Sequence, residues 1–241
     1  MTISEAIKKH HAIEVELLVM HILQKPKEFL FSNPEKHLLG YQIRKLESFI
    51  ERREKGEPMA YILEYKDFYG LKFKVNKNVL IPRPETEELV DRVLKICKAR
   101  KNLKIVDIGT GSGAIIVSLS KALQSSNGHE FHASDISSKA LVVAKDNAKT
   151  HKSKIIFTKS DLFKNLSGRF DIVIANLPYV PCLFYKSHFA NLQWEPKAAL
   201  VDPVKDFNMY EKFLQQVVSH VNPGAAIYLE MDPNIKPFIL T

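Results

Sequence analysis

The apolar positions of this chain change period twice. Over residues 3 to about 24, Ile7, Ile13, Leu17, Leu18, His21 and Ile22 recur near helical spacing, with Glu14 and Glu16 elsewhere on the wheel. That pattern predicts an amphipathic helix, ended by Pro26. Ser32-Asn33-Pro34-Glu35 offers a cap and a first-turn proline for another helix carrying Leu38, Leu39, Ile43, Leu46 and Ile50. Then Phe68, Leu71, Phe73, Val75, Val79 and Ile81 sit among Lys, Asn and Gly, which predicts a β-hairpin turning near Asn76–Asn78. From Glu85 onward helix and strand alternate. Helices are predicted at about 85–99, 113–124, 138–150 and 209–221, and strands at 104–108, 131–134, 154–157, 170–175 and 226–229. Short apolar strands alternating with helices call for a parallel sheet covered on both faces. The chain therefore divides into a helical domain over residues 1–65, a hairpin linker over 66–84 and an α/β domain over 85–241.

Composition narrows this picture. With 45% hydrophobic and 26% charged residues, the chain belongs with ordinary globular proteins and outside the collagen-like and disordered classes. No apolar run approaches the roughly 20 residues that span a bilayer, so no membrane partner is expected. The two cysteines, Cys97 and Cys182, lie far apart without a metal-ligand spacing, which fits a reducing cytoplasm. The histidines show no ligand spacing either, and no metal is expected. The net charge of +8 is spread thinly, and no basic block stands without acids nearby, so nucleic acid is not called for by charge.

Three of only nine glycines fall within five positions, in Val106-Asp107-Ile108-Gly109-Thr110-Gly111-Ser112-Gly113-Ala114. A glycine-rich turn between a strand and a helix lets a ligand approach the backbone and meet the helix N-terminus. Gly109, Gly111 and Ala114 also satisfy a dinucleotide fingerprint. Asp107 shifts the balance, because a pyrophosphate gains nothing from a carboxylate here, whereas S-adenosylmethionine carries a sulfonium and an ammonium group. Asp135, ending the second strand of this domain, can accept hydrogen bonds from both ribose hydroxyls or cap the next helix. Asp161 with Leu162 or Phe163 can meet an adenine. At the end of the apolar fourth strand stands Asn176-Leu177-Pro178-Tyr179, near where the glycine turn emerges. An Asn side-chain oxygen and a neighbouring backbone carbonyl can together accept both N–H groups of a planar amine or amide. That would orient a poor nitrogen nucleophile toward a methyl donor, with Tyr179 stacking on the plane.

These residues, with Gly56–Ile62, Phe68-Tyr69-Gly70, Phe73-Lys74-Val75, Val79–Glu87, Glu195-Pro196, Ala199-Leu200 and Leu229-Glu230, resemble the release-factor glutamine N5-methyltransferases of the PrmC/HemK type. The resemblance runs to about residue 231. It implies a Rossmann-like class I methyltransferase domain preceded by a small helical substrate-recognition domain and a hairpin. It also implies S-adenosylmethionine as cofactor and the GGQ glutamine of class I peptide chain release factors as substrate. By that resemblance Asp107, Gly109, Thr110, Gly111, Gly113, Asp135, Asp161, Leu162 and Asn176 bind the cofactor. Pro82, Arg83, Glu85, Thr86 and Glu195 shape the substrate side, and Asn176, Leu177, Pro178 and Tyr179 hold the glutamine. A single chain acting in the cytoplasm on a protein, without a nucleic-acid substrate, is expected. Leu177 replaces the family's usual proline and gives the form seen in ribosomal RNA adenine dimethyltransferases, so RNA adenine N6-methylation is the alternative. A non-catalytic binding protein and an NAD-dependent dehydrogenase are further readings; intact site residues oppose the first, and the lack of a hydride-transfer acid–base pair opposes the second. Glu64, Asp202, Pro203 and Asp232 also depart from the family pattern. The family fold continues past the fifth strand with a helix and two strands, which this chain, ending at Pro237–Thr241, is expected to lack.

Overall fold

The computed structural model describes residues 1–10, 13–123, 128–202 and 208–231. The chain forms two compact units, Met1–Glu64 and Tyr65–Thr241. The expectation of missing C-terminal strands, and the departures at Pro203 and Asp232, fall on residues outside those described.

The first unit is helical: α1 (Ile3–His10), α2 (Ile13–Leu23), α3 (Lys27–Ser32), α4 (Gly40–Glu54) and α5 (Met59–Leu63). Its core is built from Ile3, Ala6, Val15, Leu18, Val19, Leu30, Leu46, Phe49 and Ile62, while the predicted core residue Leu17 is exposed. The helix predicted from the Ser32–Glu35 signal starts later, at Gly40. The reason is backbone pairing: Ser4 N–H bonds to Pro34 O (2.9 Å), Ile3 N–H to Lys36 O (3.0 Å) and Leu38 N–H to Met1 O (3.0 Å), which holds residues 34–38 in a turn and a bridge to the chain's start instead of a helix. The α4 terminus is then closed by the Gln42 side chain, which accepts the Leu39 N–H at 2.8 Å. After α5, Glu64 adopts φ +63, the left-handed cap that glycine occupies at least cost. Its departure from the family glycine leaves the turn intact, held by a residue that disfavours it.

The second unit opens on β1 (Tyr65–Phe68) and β2 (Leu71–Lys74), an antiparallel pair that registers Lys66 on Phe73 and Phe68 on Leu71. The turn is therefore Tyr69-Gly70 and not Asn76–Asn78. Both turn residues have positive φ (+50 and +69), the two-residue geometry whose twist matches that of the flanking strands. The Asn76–Asn78 segment makes its own tight turn, with Asn78 N–H bonded to Asn76 Oδ1 at 2.9 Å. Then come α6 (Thr86–Ala99), β3 (Lys104–Ile108), α7 (Ala114–Ala122), β4 (Glu130–Asp135), α8 (Ser138–Thr150), β5 (Ile156–Lys159), β6 (Phe170–Asn176), the short helices α9 (Cys182–Ser187), α10 (Phe189–Leu192) and α11 (Lys197–Leu200), α12 (Asn208–Val217) with a 3₁₀ turn, and β7 (Val221–Glu230).

The other five strands form one parallel sheet in the order β5-β4-β3-β6-β7. Ile172, Val173 and Ile174 of central β6 are fully buried, each stabilising the fold by roughly 1.5–3 kcal/mol. One apolar cluster packs the hairpin, α6 and α7 on one side of the sheet, and a second packs Phe163, Tyr210 and Phe213 on the other. Winding runs from β3 outward to β5, then returns to the other side of β3 with β6. The sheet thus has its topological switch point between β3 and β6, the place where open α/β sheets bind ligands beyond their strand ends.

Candidate active site

Two turns meet at that switch point, because Ile108 and Ala175 are register partners on β3 and β6. After β3, Gly109, Gly111 and Gly113 all have positive φ, at +73, +56 and +79. Each serves a different purpose. A Cβ on Gly113 would stand 3.2 Å from Ala144 Cβ, so this glycine lets α7 and α8 pack closely. A Cβ on Gly109 would approach Leu177 Cδ2 at 3.5 Å. At Gly111 nothing lies within 4 Å of that position, so its missing side chain leaves open space in the cleft. The turn is tied down by Gly109 and Thr110 N–H groups, both bonded to Ser134 O at 2.9 Å.

A cleft of about 230 Å³ opens here, lined by Gly109, Thr110, Gly111, Asp135, Asp161, Leu162, Asn176, Leu177, Pro178, Pro82, Arg83 and Thr86 among others. Other residues named from the sequence stand behind this wall. Asp107 is buried and accepts the Thr110 hydroxyl at 2.7 Å, so it supports the turn from below. Burial raises its pKa to about 7, against the Thr110 hydrogen bond, with Asp135 adding to the rise. Gly113 is a packing residue. Phe163 belongs to the core, leaving Leu162, at φ +50, as the apolar wall beside Asp161. Glu85 precedes α6 as its N-cap without a side-chain bond. Tyr179 is half-buried against the core cluster and does not join the cleft wall. Glu195, also buried, accepts Ile81 N–H at 3.0 Å and the Arg83 guanidinium at 2.5 Å, which holds Arg83 at the cleft edge.

The cleft fits the adenosyl cofactor by its chemistry. Asp135 accepts Gly111 N–H at 2.9 Å and Ser137 N–H at 2.8 Å, one on each oxygen. A carboxylate has about four acceptor sites, so capacity remains for a ribose hydroxyl. Burial raises its pKa, against backbone hydrogen bonds from Ser137, Gly111 and Ile136. Asp161 is ion-paired with Lys212 at 2.5 Å, which steadies it while one oxygen remains for an amino group. Among the described residues lining the cleft, Arg83 is the one cation, beside Asp135 and Asp161. That balance suits a ligand bearing positive charge better than a pyrophosphate. Among the described residues no three His, Cys, Asp or Glu side chains gather to hold a metal ion.

Several site residues escaped the sequence reading. Ile136 and Met209 line the cleft. Tyr210, fully buried, places its hydroxyl 3.0 Å from Leu177 O and 2.7 Å from Glu230 O, bracing the ends of β6 and β7. Asn147 donates to Lys74 O (3.0 Å) and Ser112 O (2.8 Å) and accepts Lys74 N–H (2.8 Å), joining hairpin to glycine turn. Asp202, one of the family departures, is buried and accepts the Met209 N–H at the start of α12. No helix of the described residues is long and apolar enough to cross a membrane.

Residues 4–63 match the PrmC N-terminal domain and residues 87–186 the methyltransferase small domain. A release factor glutamine methyltransferase of Lactococcus lactis is 38% identical over 191 residues, covering 79% of this chain and 69% of the relative. Another, from Coxiella burnetii, is 36% identical over 227 residues, covering 93% and 80%. The chain belongs to the release factor glutamine methyltransferase family. It is a methyltransferase by that membership, and the fold agrees. A T. thermophilus 16S rRNA methyltransferase, solved with AdoMet and guanosine, superposes with a TM-score of 0.54 at 16% identity, over 73% of this chain and 43% of that one.

Proposed function

We propose that this methyltransferase moves a methyl group from S-adenosylmethionine to the side-chain amide nitrogen of the GGQ glutamine in class I peptide chain release factors. The observation carrying this reading is the meeting of the glycine turn and Asn176-Leu177-Pro178 in one cleft at the switch point. When bound, S-adenosylmethionine supplies an electrophilic methyl group on a sulfonium. Asp135 holds the ribose, and Asp161 with Leu162 holds the adenine. Asn176 Oδ1 and Leu177 O accept the two N–H groups of the substrate amide. Leu177 O already faces the Tyr210 hydroxyl, and a carbonyl has two lone pairs, so it can take both. Replacement of the usual proline by Leu177 leaves that carbonyl in place. The extra proton on the methylated nitrogen passes to water, so no strong base is needed. Most of the rate would come from alignment of nitrogen and methyl carbon in a water-poor pocket.

In this reading the helical unit would recognise the release factor, and the enzyme would act as a single copy in the cytoplasm. RNA adenine methylation is not favoured, because residues 4–63 match a domain of the glutamine-modifying family. The test offers labelled S-adenosylmethionine with release factor and ribosomal RNA side by side. Label is expected in the release factor at its GGQ glutamine; label in RNA alone overturns the reading. Asn176→Ala is expected to abolish transfer while keeping cofactor affinity, and near-normal activity would sink its role.

A further inference from the structure

Asn176 and Glu230 are register partners on neighbouring parallel strands, so their side chains share one face of the sheet at its carboxyl edge. Asn176 lines the cleft, and so does Thr86 from α6, but Glu230 does not. Glu230 Oε2 and Thr86 Oγ1 are both buried, and neither has a partner in good hydrogen-bond geometry, although Thr86 and Asn176 both present their side chains to the Glu230 carboxylate. A buried polar atom left unpaired costs roughly 1–3 kcal/mol, and such groups in native proteins call for an explanation. Burial raises the Glu230 pKa, and the side chains of Thr86 and Asn176 favour its charged form.

Asn176 has a problem that this neighbour solves. Its amide is nearly symmetric in shape, and only one of its two orientations turns Oδ1 toward an incoming N–H. The other presents an NH₂ to an NH₂. A carboxylate can only accept hydrogen bonds, so a Glu230 carboxylate on the strand side takes the Asn176 NH₂ and leaves Oδ1 for the cleft. The Tyr210 hydroxyl bridges the backbone carbonyls of Leu177 and Glu230, which ties the two strand ends that carry Asn176 and Glu230.

We propose that Glu230 is a positioning residue for methyl transfer, setting the Asn176 amide so that its oxygen faces the substrate nitrogen. The inference rests on the proposed reaction for its kinetic consequence, but not for the amide orientation itself. Two variants separate it from a packing role. Glu230→Gln keeps the shape and adds a donor; Glu230→Asp shortens the side chain and keeps an acceptor-only group. Positioning predicts that Glu230→Gln lowers kcat on release factor at least tenfold, with cofactor Kd within twofold of wild type. It predicts that Glu230→Asp keeps several-fold more activity than Glu230→Gln, the reverse of the steric order. Glu230→Gln at or above Glu230→Asp overturns the proposal, as does loss of cofactor binding or of fold in both variants.

A second readout does not need activity. With ¹⁵N-labelled asparagine, the Asn176 side-chain NH₂ signals, assigned by their loss in Asn176→Asp, are expected downfield in the wild type. They are expected to move upfield in Glu230→Gln. Unmoved signals overturn the proposal whatever the enzyme methylates, whereas moved signals with unlabelled release factor would overturn the substrate reading alone.

Discussion

Glu195 ties the cleft edge together through two separate partners. Its side chain is 5% exposed and takes both the Ile81 N–H and the Arg83 guanidinium, whose side chain is 35% exposed. In Glu195→Ala both partners lose their acceptor together. An ion pair half-open to solvent lies between the surface range of about 0–1 kcal/mol and the roughly 3–5 kcal/mol of breaking a buried one. The orphaned Ile81 N–H adds roughly 1–3 kcal/mol, part of which is already counted in the shared carboxylate. A total near 3 kcal/mol is expected for Glu195→Ala, and about 1 kcal/mol for Glu195→Gln, whose oxygen still accepts from Ile81. Urea unfolding followed by Trp194, the chain's single tryptophan and the neighbour of Glu195, reads the global term. Amide exchange at Ile81 reads the local one, where 3 kcal/mol is about a hundredfold loss of protection. The acceptor KM is expected to rise in both variants, because Arg83 leaves the cleft wall, with cofactor affinity unchanged. Glu195→Ala within 0.5 kcal/mol of wild type, or equal to Glu195→Gln, would refute the double-acceptor role.

Tyr210→Phe removes the hydroxyl shared by Leu177 O and Glu230 O; a loss of about 1–2 kcal/mol and a fall in kcat are expected, and unchanged kcat would clear Tyr210 of any part in placing the acceptor. Asp135→Ala is expected to weaken cofactor binding before it touches the acceptor KM, as titration calorimetry would show. Glu64→Gly relieves the left-handed backbone at φ +63 and is expected to raise stability by about 0.5–1 kcal/mol, measured by thermal unfolding. Asp107, its pKa raised to about 7 by burial, holds its proton in the folded state where the unfolded chain has released it. Its contribution is therefore full below about pH 4 and is lost as pH climbs toward 7. Across that window Asp107→Asn is expected to lose less stability than wild type, and parallel curves would refute the shift.

What the sequence discloses about this fold follows the range of the forces involved. The central strands and α8 are legible because a fully buried strand must be apolar along its length and a capping serine marks where this helix starts. Phe170–Asn176 shows the first signal, and Ser137, accepting Ala140 N–H at 3.2 Å, shows the second. Asn76-Lys77-Asn78 carries more turn residues than Tyr69-Gly70, yet the hairpin turns at the latter, because both Phe68 and Phe73 reach the core from that register. The first helical unit resisted for a similar reason. The Ser32–Glu35 cap signal is local, while the backbone bonds that override it come from Met1, Ile3 and Ser4, some thirty residues away along the chain.

Groups proposed to touch a ligand and the groups that hold them in place differ in how they show in a sequence. Residues on strand ends, such as Gly111, Asp135 and Asn176, announce themselves by chemistry at a spacing, since a ligand site needs particular groups at particular strand termini. Their supports do not, and Glu195 shows only through the family resemblance, without its partners. Glu195 acts on Ile81 across 114 positions, Tyr210 on Leu177 across 33, and Asn147 on Lys74 across 73. No local pattern records such a pairing, because an acid, a tyrosine or an asparagine in a polar stretch has many uses. Each of these supports is buried and carries a polar group that would be costly to leave unpaired. Burial makes them specific: the bond that satisfies Tyr210 also sets Leu177 O, and the bond that satisfies Glu195 also sets Arg83. In the proposed reaction the acceptor side is therefore only as well placed as its buried polar supports, and loss of one support is expected to misplace the substrate amide before it weakens cofactor binding.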